Sequence, residues 1–223
     1  MMAQPSNAPE SPPVSVISPQ FIVPYQFNII VYSFSIGNFV ITDMNHRILI
    51  MVKPCDTTLH SQRLLFDTNE TSIALLREKS MSAHDRWNVF RGESNADSDM
   101  IFSTVSSHMI QFKTHLNVFL ANKASRKDKF DFKIKGSWSK RNCTIYMGDS
   151  STIIAQMHKN DGNHTLFKDK FTVTIYPNVD YSFVVALIAI VDAMENPISS
   201  GVVEAAGGGV GGAAGEAVGS FVV

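Results

Sequence analysis

Residues 173–192 read Val173-Thr174-Ile175-Tyr176-Pro177-Asn178-Val179-Asp180-Tyr181-Ser182-Phe183-Val184-Val185-Ala186-Leu187-Ile188-Ala189-Ile190-Val191-Asp192. Two periodicities meet here. Up to Tyr176, the residues Phe171, Val173 and Ile175 alternate with Thr172, Thr174 and Tyr176, the mark of a half-buried antiparallel strand. Pro177 breaks that strand, and Asp180 supplies an N-cap carboxylate that predicts a helix over Tyr181–Val191, ending at Asp192. Nine apolar residues run without interruption from Phe183 to Val191. As a helix, Tyr181–Val191 spans roughly 16 Å against a hydrocarbon core of about 30 Å, too short to cross a bilayer comfortably. A helix that is apolar on every side must instead be buried in protein.

Upstream of this stretch the chain is a series of short strand-like runs. They are Phe27–Tyr32, Asn38–Thr42, Arg47–Val52, Gln62–Phe66, Ser72–Arg77, Arg86–Arg91 and Asp99–Ser106, then Leu116–Ala121, Phe130–Lys135, Cys143–Gly148, Thr152–His158 and Phe171–Tyr176. In Phe130–Lys135 the set Phe130, Phe132 and Ile134 points one way, and Asp131, Lys133 and Lys135 the other. Turn formers separate the runs, among them Asp43-Met44-Asn45-His46, Asp67-Thr68-Asn69 and Asp161-Gly162-Asn163. Their spacing is that of a β-sandwich or barrel, not of βαβ units. A single apolar helix after so many strands predicts a barrel wrapped around its own last helix.

Composition supports one folded domain. The chain has 223 residues, 44% of them hydrophobic and 17% charged, which excludes a disordered protein. Nineteen Lys plus Arg against twenty Asp plus Glu leave a net charge of −1, so no global charge draws the chain to nucleic acid or membrane. Two cysteines, Cys55 and Cys143, are too few for a disulfide scaffold and suit a reducing compartment. Six of the nine prolines fall within the first 24 residues, which carry no Lys or Arg and no apolar run. Residues 1–22 therefore read as a disordered, Pro-rich leader and not as a secretory signal. On that reading the sequons at Asn69, Asn142 and Asn163 are chance matches. Residues 201–223 hold eight of the thirteen glycines, and 195–223 read as a flexible Gly/Ala-rich tail. The folded domain is expected over 23–194, inside the cell: in the cytoplasm, at the plasma-membrane periphery, or in the nucleus.

No catalytic, metal or cofactor site emerges. His84-Asp85 are adjacent, so on an extended segment they point opposite ways, and there is no nucleophile elbow to complete a triad. The seven histidines lack metal-ligand spacing, Asp161-Gly162-Asn163 lacks the order of a calcium loop, and no glycine-rich phosphate loop is present. Cys143 shares a strand face with Ile145 and Met147, which favours a buried free thiol over a disulfide to Cys55.

One charge feature stands out. Residues 121–141 carry Lys123, Arg126, Lys127, Lys129, Lys133, Lys135, Lys140 and Arg141 against only Asp128 and Asp131, a local charge of +6 on a chain that is otherwise −7. Lys133 and Lys135 share an outward strand face. Trp138, in the next turn, has two readings: an indole at a headgroup boundary, or core, like Trp87. The cluster reads as a patch for anionic headgroups or phosphates, or as a solvated barrel wall.

Several blocks resemble the plant LURP-one-related family: Val23-Pro24-Tyr25, Gly37-Asn38-Phe39-Val40-Ile41-Thr42-Asp43, His84-Asp85-Arg86-Trp87, Val89-Phe90-Arg91-Gly92, Asp131 to Trp138, Ala155-Gln156-Met157-His158, and Val173 to Phe183. The resemblance implies the tubby C-terminal fold: mainly β, a twelve-stranded closed antiparallel barrel around a central hydrophobic helix. Tyr181, Phe183, Val184, Leu187, Ile188 and Val191 would form that helix's structural core. The wider superfamily includes phosphoinositide-tethered tubby proteins, proposed as transcription regulators, and phospholipid scramblases. The cysteine-rich, acidic and membrane-helix segments of scramblases are not evident here, so lipid transport is not implied. The leading expectation is a non-enzymatic, monomeric barrel binding anionic phospholipid (a phosphoinositide) as a membrane-tethered signalling or transcription-related protein in plant defence. The alternatives are a module binding signalling proteins without lipid, and a small-molecule carrier, which would need an internal cavity. The only helix expected is buried, so direct sequence-specific DNA binding is not.

Overall fold

Alternation of inward apolar and outward polar residues recurs from strand to strand, and it closes a barrel. A computed structural model describes residues 12–57, 60–79, 86–106, 113–122, 129–159 and 169–196. A short strand, β1 (Ile22–Val23), precedes the barrel strands β2 (Phe27–Ser35), β3 (Asn38–Thr42), β4 (Ile48–Pro54), β5 (Gln62–Phe66), β6 (Ser72–Glu78) and β7 (Arg86–Arg91). The ring continues with β8 (Met100–Ser106), β9 (Thr114–Leu120), β10 (Phe132–Ser137), β11 (Asn142–Met147), β12 (Ile153–Lys159) and β13 (Asp169–Ile175). Each pairs antiparallel with its sequence neighbours, and β13 pairs with β2 from Asp169↔Ser33 to Ile175↔Phe27, closing the ring. Every predicted run is a strand of this barrel, so the expected twelve-stranded closed antiparallel architecture is found.

Through the barrel runs α1 (Tyr181–Glu195). It continues past the predicted end at Asp192, which is 4% exposed and lies inside the helix. Asp192 does not stop the helix because its carboxylate is satisfied there: Oδ2 accepts from the Gly37 N–H at 3.2 Å and Oδ1 from the Asn196 side-chain amide at 3.0 Å. Phe183, Val184, Leu187, Ile188 and Val191 are all buried, whereas Tyr181, at the mouth, is partly exposed and stacks edge-on against Phe21 and Phe27. Phe183 meets Phe102 and Phe132 with ring centroids 5.2 and 4.9 Å apart. Two internal voids beside the helix measure about 10 Å³ each, so the helix fills the space an internal carrier would need. Among the described residues no helix is long and apolar enough to cross a membrane.

The disordered-leader expectation for residues 1–22 holds too much of the chain. Residues 1–11 lie outside the described residues, but from Pro12 the chain is built into the fold. β1 pairs with β14 (Val179–Asp180), and Ile17 and Phe21 are buried. Asp180 explains this order. Its Oδ1 caps α1 by accepting from the Ser182 and Phe183 N–H groups, as its position predicts, while Oδ2 accepts from the N–H groups of Val16, Ile17 and Ser18. One buried carboxylate thus clamps the segment over the mouth where the helix enters. Of the tail expected over 195–223, Glu195 closes α1 and Asn196 caps it, its N–H donating to the Asp192 carbonyl, while the residues from 197 onward lie outside the described residues.

Candidate functional site

The β10 segment, Phe132–Ser137, sets the geometry of the basic wall. Phe132 and Ile134 face the core, which leaves Lys133 and Lys135 on the outside, flanked by β9 and β11. In register, Lys133 lies between Asn117 and Tyr146, and Lys135 between His115 and Thr144. Lys129 precedes the strand at the end where α1 enters, and Lys140 follows it at the opposite end, roughly 20 Å along a six-residue strand. Both are exposed, as is Lys135. Lys123, Arg126 and Lys127 lie outside the described residues.

Two of the predicted basic residues are committed to structural contacts. The side chain of Lys133 is only 12% exposed; its Nζ sits 3.6 Å from the Asp149 carboxylate and over the Phe130 and Tyr146 rings. Arg141 pairs with Asp169 of β13 through Nε and Nη2, donates to the Trp138 carbonyl, and stacks on the Trp138 ring 4.0 Å from its centroid. That stacking answers the question of the indole. Trp138 is 3% exposed and packs edge-on against Phe171 beneath the Arg141 guanidinium, so it is a core side chain and not a boundary anchor. Trp87, 2% exposed, is core as well.

The barrel adds two residues that the basic run of sequence does not contain. β9 brings His115 directly opposite Lys135, and Lys113 stands exposed just before β9. Burial first, then the positive charges of Lys135 and Lys113, push the His115 pKa down. Alternation about Leu116 puts His115 on the outer face, a signal present in the sequence, but only the strand register brings it alongside Lys135. None of Lys113, Lys129, Lys135 and Lys140 is ion-paired with a described residue. The wall is a row of exposed lysines, Lys129, Lys135 and Lys140, with Lys113 and the imidazole of His115 beside Lys135, an arrangement suited to electrostatic attraction of an anionic surface.

His84, Asp85 and the Asp161-Gly162-Asn163 turn lie outside the described residues. Among the described residues no group of three His, Cys, Asp or Glu side chains is disposed to hold a metal ion. Both cysteines are free thiols. Cys143 is buried, and burial pushes its pKa up to about 11, which keeps it an unreactive thiol at neutral pH.

At the far end of the barrel lies a polar closure that sequence reasoning missed. Arg63 of β5, 1% exposed, faces inward and donates from Nη1 to Asp56 at 2.7 Å, while its Nε is buried without a hydrogen-bond partner. Its guanidinium lies against Gly37, which has φ +72° and would drive a Cβ into the Arg63 side chain. Gly37 then donates to Asp192. An inward arginine in a run that reads as an ordinary strand leaves no periodic signal.

Comparison with known proteins gives a consistent result. The LURP-one-related family profile matches residues 28–192. The Arabidopsis thaliana protein LURP-one-related 15 is 43% identical over 183 residues, covering 79% of this chain and 84% of that protein. Protein LURP1 of the same plant is 43% identical over 161 residues, covering 71% and 77% respectively. An X-ray structure of an Arabidopsis thaliana protein superposes with a TM-score of 0.65 at 38% identity, covering 81% of this chain and 98% of the other.

Proposed function

The chain belongs to the LURP-one-related family, and on that premise we propose that it is a non-enzymatic, tubby-like barrel that docks reversibly on anionic phospholipid, phosphoinositides included. It would act at the plasma-membrane periphery as a tethered signalling component of plant defence. The observation that carries this reading is the exposed Lys135, ion-paired with no described residue, with His115 and Lys113 beside it, and Lys129 and Lys140 extending the same wall. Each near-surface lysine contributes about 1 kcal/mol toward an acidic leaflet, so a handful gives weak, salt-sensitive binding.

Co-sedimentation with vesicles tests this, comparing neutral phosphatidylcholine with the same lipid containing phosphoinositide, at low and at physiological salt. Lys133 and Arg141 are poor probes because they hold structural contacts, so the variant is Lys129→Glu/Lys135→Glu/Lys140→Glu. The expected result is salt-sensitive binding to the anionic vesicles alone, lost in the variant. No binding, or equal binding by the variant, overturns the reading. A second reading, a module for signalling proteins without lipid binding, draws on the exposed apolar side chains Tyr25 (62%), Met44 (55%) and Ile48 (41%) at the end where α1 enters.

A further inference from the structure

The interior is filled, but the outer surface of β5 and β6 carries a cleft of about 480 Å³. Leu64 and Leu75, paired in register across the two strands, form its floor, and the next cross-strand pair, Gln62 and Arg77, closes one end. Two connections wall it. The segment after β4 is held by the Cys55 N–H donating to the Gln62 carbonyl at 3.1 Å. The segment after β7 turns over the strands where the Gly92 N–H donates to the Ile73 carbonyl at 3.1 Å, and it carries Glu93 to the rim. Cys55 and Glu93 both line the cleft, so the two walls face each other across it. Arg77 forms no ion pair with Glu93 or with any other described residue.

We propose that this cleft is a binding site for a small amphipathic carboxylic acid bearing one negative charge and a hydrogen-bond donor. The volume falls within the range of about 300–1,000 Å³ typical of small-molecule sites, and the Leu64–Leu75 floor is ringed by polar side chains, Thr57, His60, Gln62, Arg77, Glu93 and Asn95. The Arg77 guanidinium presents a planar fork that matches a carboxylate. Leu64 and Leu75 take the apolar body. The Glu93 carboxylate at the rim accepts an N–H or O–H and repels a second negative charge, which discriminates against polyphosphorylated ligands. The site lies on different strands from the basic wall and does not depend on lipid binding.

The test is a titration followed by amide ¹⁵N–¹H spectra of the full chain, using N-acetyl-L-phenylalanine and, in parallel, its primary amide. The acid is expected to shift the amides of Gln62, Leu64, Leu75 and Arg77. The primary amide and the Arg77→Gln variant should each bind at least about tenfold more weakly. Because the amide probe leaves the protein unaltered, it keeps the test decisive even if the variant folds poorly. No shifts up to about 10 mM acid, shifts confined to other strands, or equal binding of acid and amide overturn the proposal.

Discussion

Asp180 and Asp192 stand in the same helical segment, both almost wholly buried, and they illustrate two kinds of carboxylate. Asp180 sits at the helix start, where N–H groups converge, and donors from both the helix and the incoming chain satisfy its two oxygens. Asp192 sits where the helix leaves the barrel, with one backbone N–H and one side-chain amide on it. Burial dominates there and pushes its pKa above the ordinary carboxylate value, against the opposing pull of the Gly37 N–H, Arg141, Asn196 and Arg63. The folded state therefore binds the Asp192 proton more tightly than the unfolded chain does. Its contribution to stability is fully present below the ordinary carboxylate pKa and is lost as pH rises through the folded value. Asp192→Asn should remove this dependence. In urea unfolding from about pH 4 to about pH 7, the stability difference is expected to move in the variant's favour as pH rises. A difference independent of pH would show that Asp192 does not carry the titration.

Among the elements, α1 is the one on which the barrel depends. Twelve of its fifteen residues are buried, and Leu187 is wholly inaccessible among them. Leu187→Ala should cost about 2–5 kcal/mol, read as a lower urea midpoint, because the barrel wall cannot collapse onto the missing volume. Leu187→Asp should prevent folding, since an ionised carboxylate there has no donor. A soluble Leu187→Asp protein with a cooperative melt would contradict the central placement of the helix. The twelve barrel strands and this helix were legible in the sequence because burial on one face writes a period of two and burial on every face writes an unbroken apolar run. The helix's true end was not legible. It depends on Gly37, a residue 155 positions away, supplying the donor that makes a buried Asp192 tolerable.

At the scale of the molecule, closure joins remote parts of the chain. β2 pairs with β13, and Val16, Ile17 and Ser18 hold Asp180 more than 160 residues further on. Removing residues 1–18 should leave the barrel formed but less stable by about 2–4 kcal/mol, since the uncovered mouth exposes apolar surface and Asp180 loses three donors. The check is a circular-dichroism melt. An unchanged midpoint would mean that this segment is an ornament on the barrel and not its closure.

Local pattern determined the strand count, the buried helix and its cap, because each is encoded by neighbouring residues and by which side of an element is apolar. The wall that carries the proposed anion site was legible only in part. The basic run from Lys123 to Arg141 is contiguous in sequence, but which of its cations are free was decided by partners from elsewhere: Asp149 for Lys133, Asp169 for Arg141. His115 joined Lys135, the N-terminal segment joined the fold, and the cleft over Leu64 and Leu75 formed only through strand register and loop packing. The physical reason is common to all three. Hydrophobic periodicity says which face of a strand is buried, but the neighbour across that face is chosen by pairing between segments far apart in the chain, and a single strand carries no record of its partner's charge.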